Sequence, residues 1–131
     1  MTTPFWCLLA AVLIPYPLAF LGTYYRQREL GSIDNRNPRQ QALQLTGAGA
    51  RCYAAQQNAW EALAVFTAAV TVAHLAGADP ARSAQVALVF IAARVVHAVS
   101  YVADLEKLRG LAFIAGLGCC ITLFVLAARS A

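Results

Sequence analysis

The sequence predicts an all-α integral membrane protein, a four-helix bundle that forms one domain over residues 1–131. Hydrophobic residues make up 60% of the chain, and its mean hydropathy is +0.60. Only 12% of the residues are charged, against roughly a quarter in typical globular proteins. The charges leave four long apolar stretches, each close to the length that a helix needs to cross a bilayer. Because the helices of a soluble domain show polar faces, this pattern excludes an ordinary soluble domain.

The first predicted span covers residues 4–25, which carry no charge. Pro15 and Pro17 lie inside it, and membrane helices tolerate proline where neighbouring groups satisfy the freed carbonyls. A cleaved signal peptide is the alternative interpretation. The lack of a basic start and of a small-residue cleavage site argues against it.

A polar connection over residues 26–46 leads to the second predicted span, residues 48–76. The third span covers residues 81–103, and Asp79-Pro80 before it is typical of a helix start. A brief charged loop over residues 104–109 leads to the fourth span, residues 111–127. In that last span the pairs Ala112/Gly116 and Ala115/Cys119 predict close approach to another helix.

The distribution of lysine and arginine predicts the orientation in the membrane. Seven such residues lie on one side, and only Arg82 and Arg129 lie on the other. Cytoplasmic loops carry the excess of positive charge, so both termini are predicted outside the cytoplasm. This topology also explains the net charge of +4 without nucleic acid.

Cysteine usage predicts packing rather than metal binding. The chain has four cysteines, with neither a CxxC motif nor zinc-ligand spacing. All lie in or next to apolar runs, where cysteine behaves as a small hydrophobic residue. His74 stands apart from other polar residues and is also interpreted as structural.

The second span begins with the most informative polar pattern. Helical spacing puts Arg51, Asn58 and Glu61 on one face. A carboxylate one step inside an apolar run is costly unless a cation meets it. Arg94 in the third span is the predicted partner of Glu61. A purely structural ion pair between these two helices is the alternative interpretation.

Further polar residues are predicted at the same cytoplasmic depth. Arg94, His97 and Tyr101 share a helix face, Arg109 follows in the inner loop, and Arg26 closes the first span. Tyr101 taken alone would be interpreted as an interfacial aromatic residue. Several arginines with one carboxylate suit a small zwitterion that has excess carboxylates, since arginine pairs with carboxylates and Glu61 with an ammonium. An apolar co-substrate would arrive from the bilayer.

These residues resemble the motifs of the MAPEG family, the membrane-associated proteins in eicosanoid and glutathione metabolism. The resemblance rests on Arg51-x6-Asn58-x2-Glu61, Arg94-x2-His97-x3-Tyr101 and Arg109-x3-Phe113, in that order. It covers nearly the whole chain and suggests a member that is similar to the bacterial-type microsomal glutathione transferases. It implies a homotrimer in a bacterial inner membrane, with glutathione held between neighbouring subunits near the cytoplasmic face.

The resemblance also implies roles for individual residues. Arg109 and Tyr101 would be catalytic, with Arg109 stabilising the glutathione thiolate. The residues implied to bind glutathione are Arg26, Arg51, Asn58, Glu61, Arg94, His97, Tyr101 and Arg109. No metal is implied. The other partners would be a lipophilic electrophile or lipid hydroperoxide and membrane lipids, with no nucleic acid.

The sequence therefore predicts a membrane-bound glutathione transferase that conjugates lipophilic electrophiles or reduces hydroperoxides. A noncatalytic scaffold of the same fold is one alternative. Gln57 and Gly110 favour it. Gln57 stands where several eicosanoid enzymes of the family carry arginine, and Gly110 stands where the prostaglandin-forming branch carries serine. A proton-coupled transporter that uses Glu61 is the other alternative. The arginines around Glu61 argue against it, since they would repel a cationic cargo.

Overall fold

The computed structural model describes residues 1–130, and within that range it is all-helical. The helices are α1 Thr3–Leu13, α2 Pro15–Leu30, α3 Pro38–Ala42, α4 Gly47–Leu75, α5 Pro80–Val102 and α6 Glu106–Ala128. Three segments are long and apolar enough to cross a membrane: Thr3–Leu30, Pro80–Val102 and Glu106–Ala128. Helix α4 has 29 residues, but the polar side chains of its first half lower its hydropathy. Four crossings therefore remain a prediction.

The first predicted span consists of two consecutive helices and extends beyond its predicted end at residue 25. Helix α1 ends at Leu13 and α2 begins at Pro15, since a proline ring blocks the regular hydrogen-bond ladder. Helix α2 then continues to Leu30 instead of ending near residue 25. Its last residues, RQREL, are good helix formers. It stops at Gly31, whose φ of 74° is left-handed and whose N–H donates to the Gln27 carbonyl over 3.2 Å.

The connection between α4 and α5 follows the sequence prediction. Gly77 has a φ of 71°, and Ala78 donates its N–H to the Ala73 carbonyl over 2.9 Å, which closes the end of α4. Asp79 then caps α5 by accepting the N–H of Arg82 at 2.7 Å. Pro80 occupies the first turn, as predicted.

The predicted loop over residues 104–109 is wrong, because α6 already begins at Glu106. The residues Glu106 to Arg109 favour a helix, and Glu106 places a carboxylate in its first turn. The turn is made at Asp104, whose φ of 64° is unusual for a residue other than glycine. Arg109 therefore lies on a helix instead of in the inner loop.

Helix α6 packs against α5 through small residues. Ala112, Gly116 and Cys119 are buried, whereas Ala115 is exposed. A Cβ atom on Gly116 would lie 3.5 Å from Cδ of Arg94, so the absence of a side chain brings the helix close to that arginine. The prediction of close approach is thus confirmed for Ala112/Gly116 and for Cys119.

The buried side chains form two cores, one toward each end of the long helices. The Phe66 core is built around the parallel stack of Phe66 on Phe90, whose ring centroids are 3.8 Å apart. The Cys52 core comprises Leu18, Cys52, Ala55, Ala59 and Ala98. All four cysteines are free and buried, in keeping with the predicted packing role.

Candidate functional site

Arg94 is the centre of a polar cluster between α4, α5 and α6. Its side chain is only 3% exposed, and its Nη2 donates to Oδ1 of Asn58 over 2.7 Å and contacts the Asn58 carbonyl oxygen at 3.4 Å. The same nitrogen lies 3.3 Å from Nδ1 of His97. Nη1 and Nε form no hydrogen bond within residues 1–130. The guanidinium is thus held from one side and retains donors on the other.

His97 is fixed by Arg94 on one edge and by aromatic rings around it. The ring is 2% exposed, and because a guanidinium only donates, Nδ1 must accept the hydrogen bond. The proton of the neutral imidazole then sits on Nε2. Tyr101 packs edge-on against His97 at 5.5 Å between centroids, and Phe113 lies at 6.3 Å.

The predicted ion pair between Glu61 and Arg94 is wrong. Glu61 is exposed, and its Oε2 accepts a hydrogen bond from Nδ2 of Asn58 over 3.3 Å. Asn58 lies one turn earlier on α4 and offers its carbonyl oxygen to Arg94 and its amide to Glu61. A neutral amide therefore joins the two charges, and Glu61 keeps its second oxygen free of protein donors among the described residues.

Arg109 reaches the cluster from α6. Its guanidinium carbon lies 4.4 Å from the centroid of the Tyr101 ring, which is a cation–π contact. Within the described chain, the Arg109 side chain has no ion pair and no hydrogen bond. Tyr101 thus connects Arg109 to His97, and the Arg109 donors stay available to a ligand.

Arg51 contacts the end of α5 and does not join Asn58 and Glu61 at the Arg94 cavity. It forms an ion pair with Asp104 at 3.3 Å, and its Nε donates to the Val102 carbonyl over 3.3 Å. This is the one ion pair in the part of the chain that the structure describes. Arg51 therefore joins the start of α4 to the end of α5 and lies outside the cavity beside Arg94.

An apolar cavity of about 180 Å³ opens beside Arg94. We call it the Arg94 cavity. Its polar lining consists of Asn58, Glu61 and Arg94, and its apolar wall is formed by Ala62, Val65, Phe90, Phe113, Gly116, Leu117 and Cys120. Phe90 and Cys120 were not among the residues predicted for this site. Their helical spacing from Arg94 and Gly116 was the available signal, but core packing gives the same spacing.

Arg26 lies apart from this cluster, in a second cavity of about 210 Å³. We call it the Arg26 cavity. Its other lining residues include Arg39, Tyr53, Gln57 and Trp60. The residues of α4 that line it lie on a different face from Asn58 and Glu61. The structure thus groups Asn58, Glu61, Arg94, His97, Tyr101 and Arg109 and separates Arg26 and Arg51 from them.

The buried amide of Gln41 organises the wall of the Arg26 cavity. Its Oε1 accepts from the Asp34 N–H at 2.9 Å and from Nη1 of Arg26 at 3.3 Å. Its Nε2 donates to the Ser32 carbonyl over 2.8 Å. Sequence reasoning missed this role, because a glutamine in a polar connection carries no pattern that distinguishes it from its exposed neighbours.

The fold and this cluster define a helical integral membrane protein that holds arginine, asparagine and histidine in contact between its long helices. A sequence model of the MAPEG family matches residues 3–129. The chain therefore belongs to the MAPEG family, which includes glutathione transferases and related membrane proteins. The resemblance drawn from the sequence motifs is confirmed at this level. A comparison with curated proteins gives no match.

Proposed function

We propose that this protein is a membrane-bound glutathione transferase that joins the glutathione thiolate to lipophilic electrophiles. The observation that carries the proposal is the buried Arg94, held by Asn58 and His97 at the wall of an apolar cavity in a MAPEG chain. The free donors of Arg94 suit a carboxylate. Glu61 on the same cavity suits an ammonium, so the two groups match the opposite charges of a γ-glutamyl peptide.

The size of the Arg94 cavity supports a site that is completed by a second chain. A cavity of about 150 Å³ holds one benzene ring, so about 180 Å³ accommodates only part of a tripeptide. Arg26, a residue of α2, lines the other cavity, and that cavity borders a different face of α4 from the Arg94 cavity. If all the implied residues contact one glutathione, one subunit supplies Arg94 and Arg109 and its neighbour supplies Arg26. A closed ring such as the implied homotrimer would bring these two faces together repeatedly.

In this proposal the residues of the cluster have separate tasks. Glutathione supplies the sulfur nucleophile, which forms a carbon–sulfur bond with the electrophile as the thiol proton and any leaving group depart. Arg109 stabilises the thiolate, since a nearby guanidinium favours the charged form of a thiol. Tyr101 positions Arg109 through its ring. The apolar wall that includes Phe90 and Phe113 receives the lipophilic substrate from the bilayer.

A lipid hydroperoxide is a second substrate class for the same site. Two glutathione molecules would then be oxidised to the disulfide, while the hydroperoxide is reduced to an alcohol and water. In this proposal the site faces the cytoplasm, because the basic connections lie at the same end of the helices. The bacterial inner membrane is what the family resemblance implies.

The ultraviolet difference spectrum of detergent-solubilised protein with glutathione tests the proposal. We expect a thiolate band that disappears in Arg109→Ala and persists in Arg28→Ala, a matched change at an arginine outside the cluster. Tyr101→Phe keeps the ring that contacts Arg109 and should keep the band. Absence of glutathione binding to the folded wild-type protein would refute the proposal.

A noncatalytic scaffold is the second candidate function, and Gly110 is the observation that favours it. A Cβ atom at Gly110 would have no neighbour within 4 Å, so the fold itself does not require glycine beside Arg109. A scaffold would assemble normally, bind no glutathione and lose nothing measurable in Arg109→Ala. The difference spectrum separates the two candidates, because only an active transferase shows the Arg109-dependent band.

A further inference from the structure

A third cavity lies at the opposite end of the long helices from Arg109. None of the residues in the family motifs or in the proposed reaction lines it. Its volume is about 260 Å³, larger than the Arg94 and Arg26 cavities. We call it the Ser83 cavity. Its floor is formed by the buried residues Val70, Ala73, Ala78, Ser83 and Leu123. Its rim is formed by Thr2, Pro4, Phe5, His74, Gly77 and Pro80.

Ser83 has the property that marks this cavity as a binding site. Its side chain is 7% exposed, and its Oγ is the one buried side-chain polar atom within residues 1–130 that has no hydrogen-bond partner. A buried polar group without a partner is unfavourable by about 1–3 kcal/mol. A ligand that forms a hydrogen bond with Ser83 Oγ in this cavity would remove that unfavourable free energy.

Other helical hydroxyl groups show that this arrangement is not the rule for the chain. Thr23, Thr67, Ser100 and Thr122 each donate to the carbonyl four residues earlier in their helix, and Ser130, just after α6, does the same. Ser83 occupies the first turns of α5, and only its backbone N–H bonds to Asp79, over 3.0 Å. Its hydroxyl lines the cavity instead of bonding to its own helix.

The remaining lining identifies the chemistry of the ligand. Among residues 1–130, His74 is the only titratable side chain that lines the cavity, and its ring is held edge-on against Phe5 at 5.0 Å between centroids. Apart from Ser83 the floor is aliphatic, so a charged molecule buried there would lose its hydration without gaining an opposite charge. Because a cavity of about 150 Å³ holds one benzene ring, this one has room for one or two rings.

We propose that the Ser83 cavity binds an uncharged, lipophilic carbonyl compound of one or two rings, whose oxygen accepts a hydrogen bond from Ser83. The apolar body lies against Val70, Ala73 and Leu123, and the Phe5 and His74 rings lie beside it at the rim. The site is independent of the proposed glutathione chemistry, since it shares no lining residue with the Arg94 cavity. Its ligand would enter from the membrane at the end of the bundle that contains Thr2.

Photolabelling with benzophenone tests the proposal, because this two-ring ketone has the required shape and reacts with neighbouring C–H bonds under near-ultraviolet light. The full-length protein in lipid nanodiscs is labelled, and the adducts are mapped by peptide mass spectrometry. We expect adducts on the floor residues Val70, Ala73 and Leu123. Ser83→Ala should lower this labelling about fivefold, the effect of one net hydrogen bond. Ala73→Leu should fill the cavity and reduce labelling to background.

Ser100→Ala is the matched control, because Ser100 is buried but bonds to its own helix. It should leave labelling unchanged. Ser83→Ala should also leave the unliganded melting temperature unchanged or higher, since it removes an unpartnered hydroxyl. Equal labelling in wild type and Ser83→Ala would overturn the proposal. Adducts confined to lipid-facing side chains, or labelling that persists in folded Ala73→Leu, would also overturn the proposal. In each of these cases water alone would satisfy the Ser83 hydroxyl.

Discussion

Arg94 carries a formal charge into the interface between three helices, and neutral groups hold it there. Its acceptors are the side-chain and backbone oxygens of Asn58 and a ring nitrogen of His97. A carboxylate partner would neutralise the guanidinium and compete with an anionic ligand. Neutral acceptors satisfy part of its hydrogen-bonding capacity and leave its charge available.

Removal of the Asn58 amide should destabilise the bundle. In Asn58→Ala the guanidinium loses its 2.7 Å acceptor, and hydrogen bonds to charged groups contribute about 1.5–3 kcal/mol. We expect that loss in the free energy of unfolding, measured by circular dichroism in mixed micelles with a denaturing detergent. Gln57→Ala changes an exposed neighbour on the same helix and should stay within about 0.5 kcal/mol of wild type. Equal values for both variants would contradict the role assigned to Asn58.

Asp34 should make the order of the first connection dependent on pH. The backbone N–H groups of Asn37 and Arg36 donate to its carboxylate and hold its pKa below the ordinary value of 3.8. Because the folded-state pKa is depressed, the stabilising effect is complete above pH 3.8 and is lost as the pH falls through the folded-state pKa. Amide exchange of Arg36 and Asn37, corrected for intrinsic rates, should show this loss.

Asp34→Asn is the control for that measurement, because it keeps an acceptor oxygen but cannot titrate. Its amide protection should be insensitive to pH over the same window. If wild type and variant follow the same pH profile, another group must order the connection.

The helices show how far local sequence signals reach. The start of α5 and the end of α4 are predictable, because Asp79, Pro80 and Gly77 each act through their own backbone. The break after Leu13 follows from Pro15 in the same way. The short turn between α5 and α6 was not predictable, because Asp104 adopts the left-handed conformation that usually indicates glycine. Its ion pair with Arg51 depends on a residue more than fifty positions away, and no local pattern contains that information.

The candidate site likewise combines features that local sequence predicts with features that it does not. Helical spacing was enough to group Asn58, Glu61, Arg94, His97 and Tyr101 at one depth. It could not assign partners, because spacing fixes a helix face but not which side chain lies between two others. Asn58 therefore took the position predicted for a direct contact between Glu61 and Arg94.

Gly49 controls the packing of α4 against the end of α2. A Cβ atom there would lie 2.6 Å from Oε1 of Glu29 and 3.1 Å from Cβ of Tyr25. Glu29 cannot move freely, because its other oxygen accepts from the N–H of Thr46, at the start of α4, over 3.0 Å. Gly49→Ala should therefore lower the free energy of unfolding by about 1–3 kcal/mol in a micelle denaturation assay.

Gly22→Ala is the matched control, since Gly22 lies in α2 and has no neighbour within 4 Å of a Cβ atom. It should be neutral or stabilising by up to about 1 kcal/mol. A Gly49→Ala protein as stable as Gly22→Ala would show that α2 and α4 separate more easily than their contacts indicate.

At the scale of the whole molecule, the two halves of the proposed glutathione site lie on different faces of the chain. The Arg94 cavity lies among α4, α5 and α6, and the Arg26 cavity lies among α2, α3 and α4. In a closed ring of identical chains each contact pairs one face with the other. The number of complete sites would then equal the number of chains.

Subunit complementation tests this arrangement. Arg26→Ala and Arg109→Ala chains should each bind or activate glutathione poorly when they assemble alone. Random co-assembly should restore about a quarter of the sites, because some contacts then combine an intact Arg26 with an intact Arg109. The thiolate band of the mixed sample, with unmixed samples pooled after purification as control, measures the restored fraction. No restoration in verified mixed oligomers would place both arginines' functions within one chain.

The division of the interior into two cores has a consequence for access to the proposed glutathione site. The Ile14 break and the Arg94 cluster both lie where the Phe66 core gives way to the Cys52 core. The Cys52 core is smaller and consists mainly of alanines around one leucine and one cysteine. Segments with few buried apolar contacts open at lower free energy than the rest of a structure. The end of the bundle that contains Arg26 and Arg109 should therefore open at lower free energy than the region around the stacked phenylalanines.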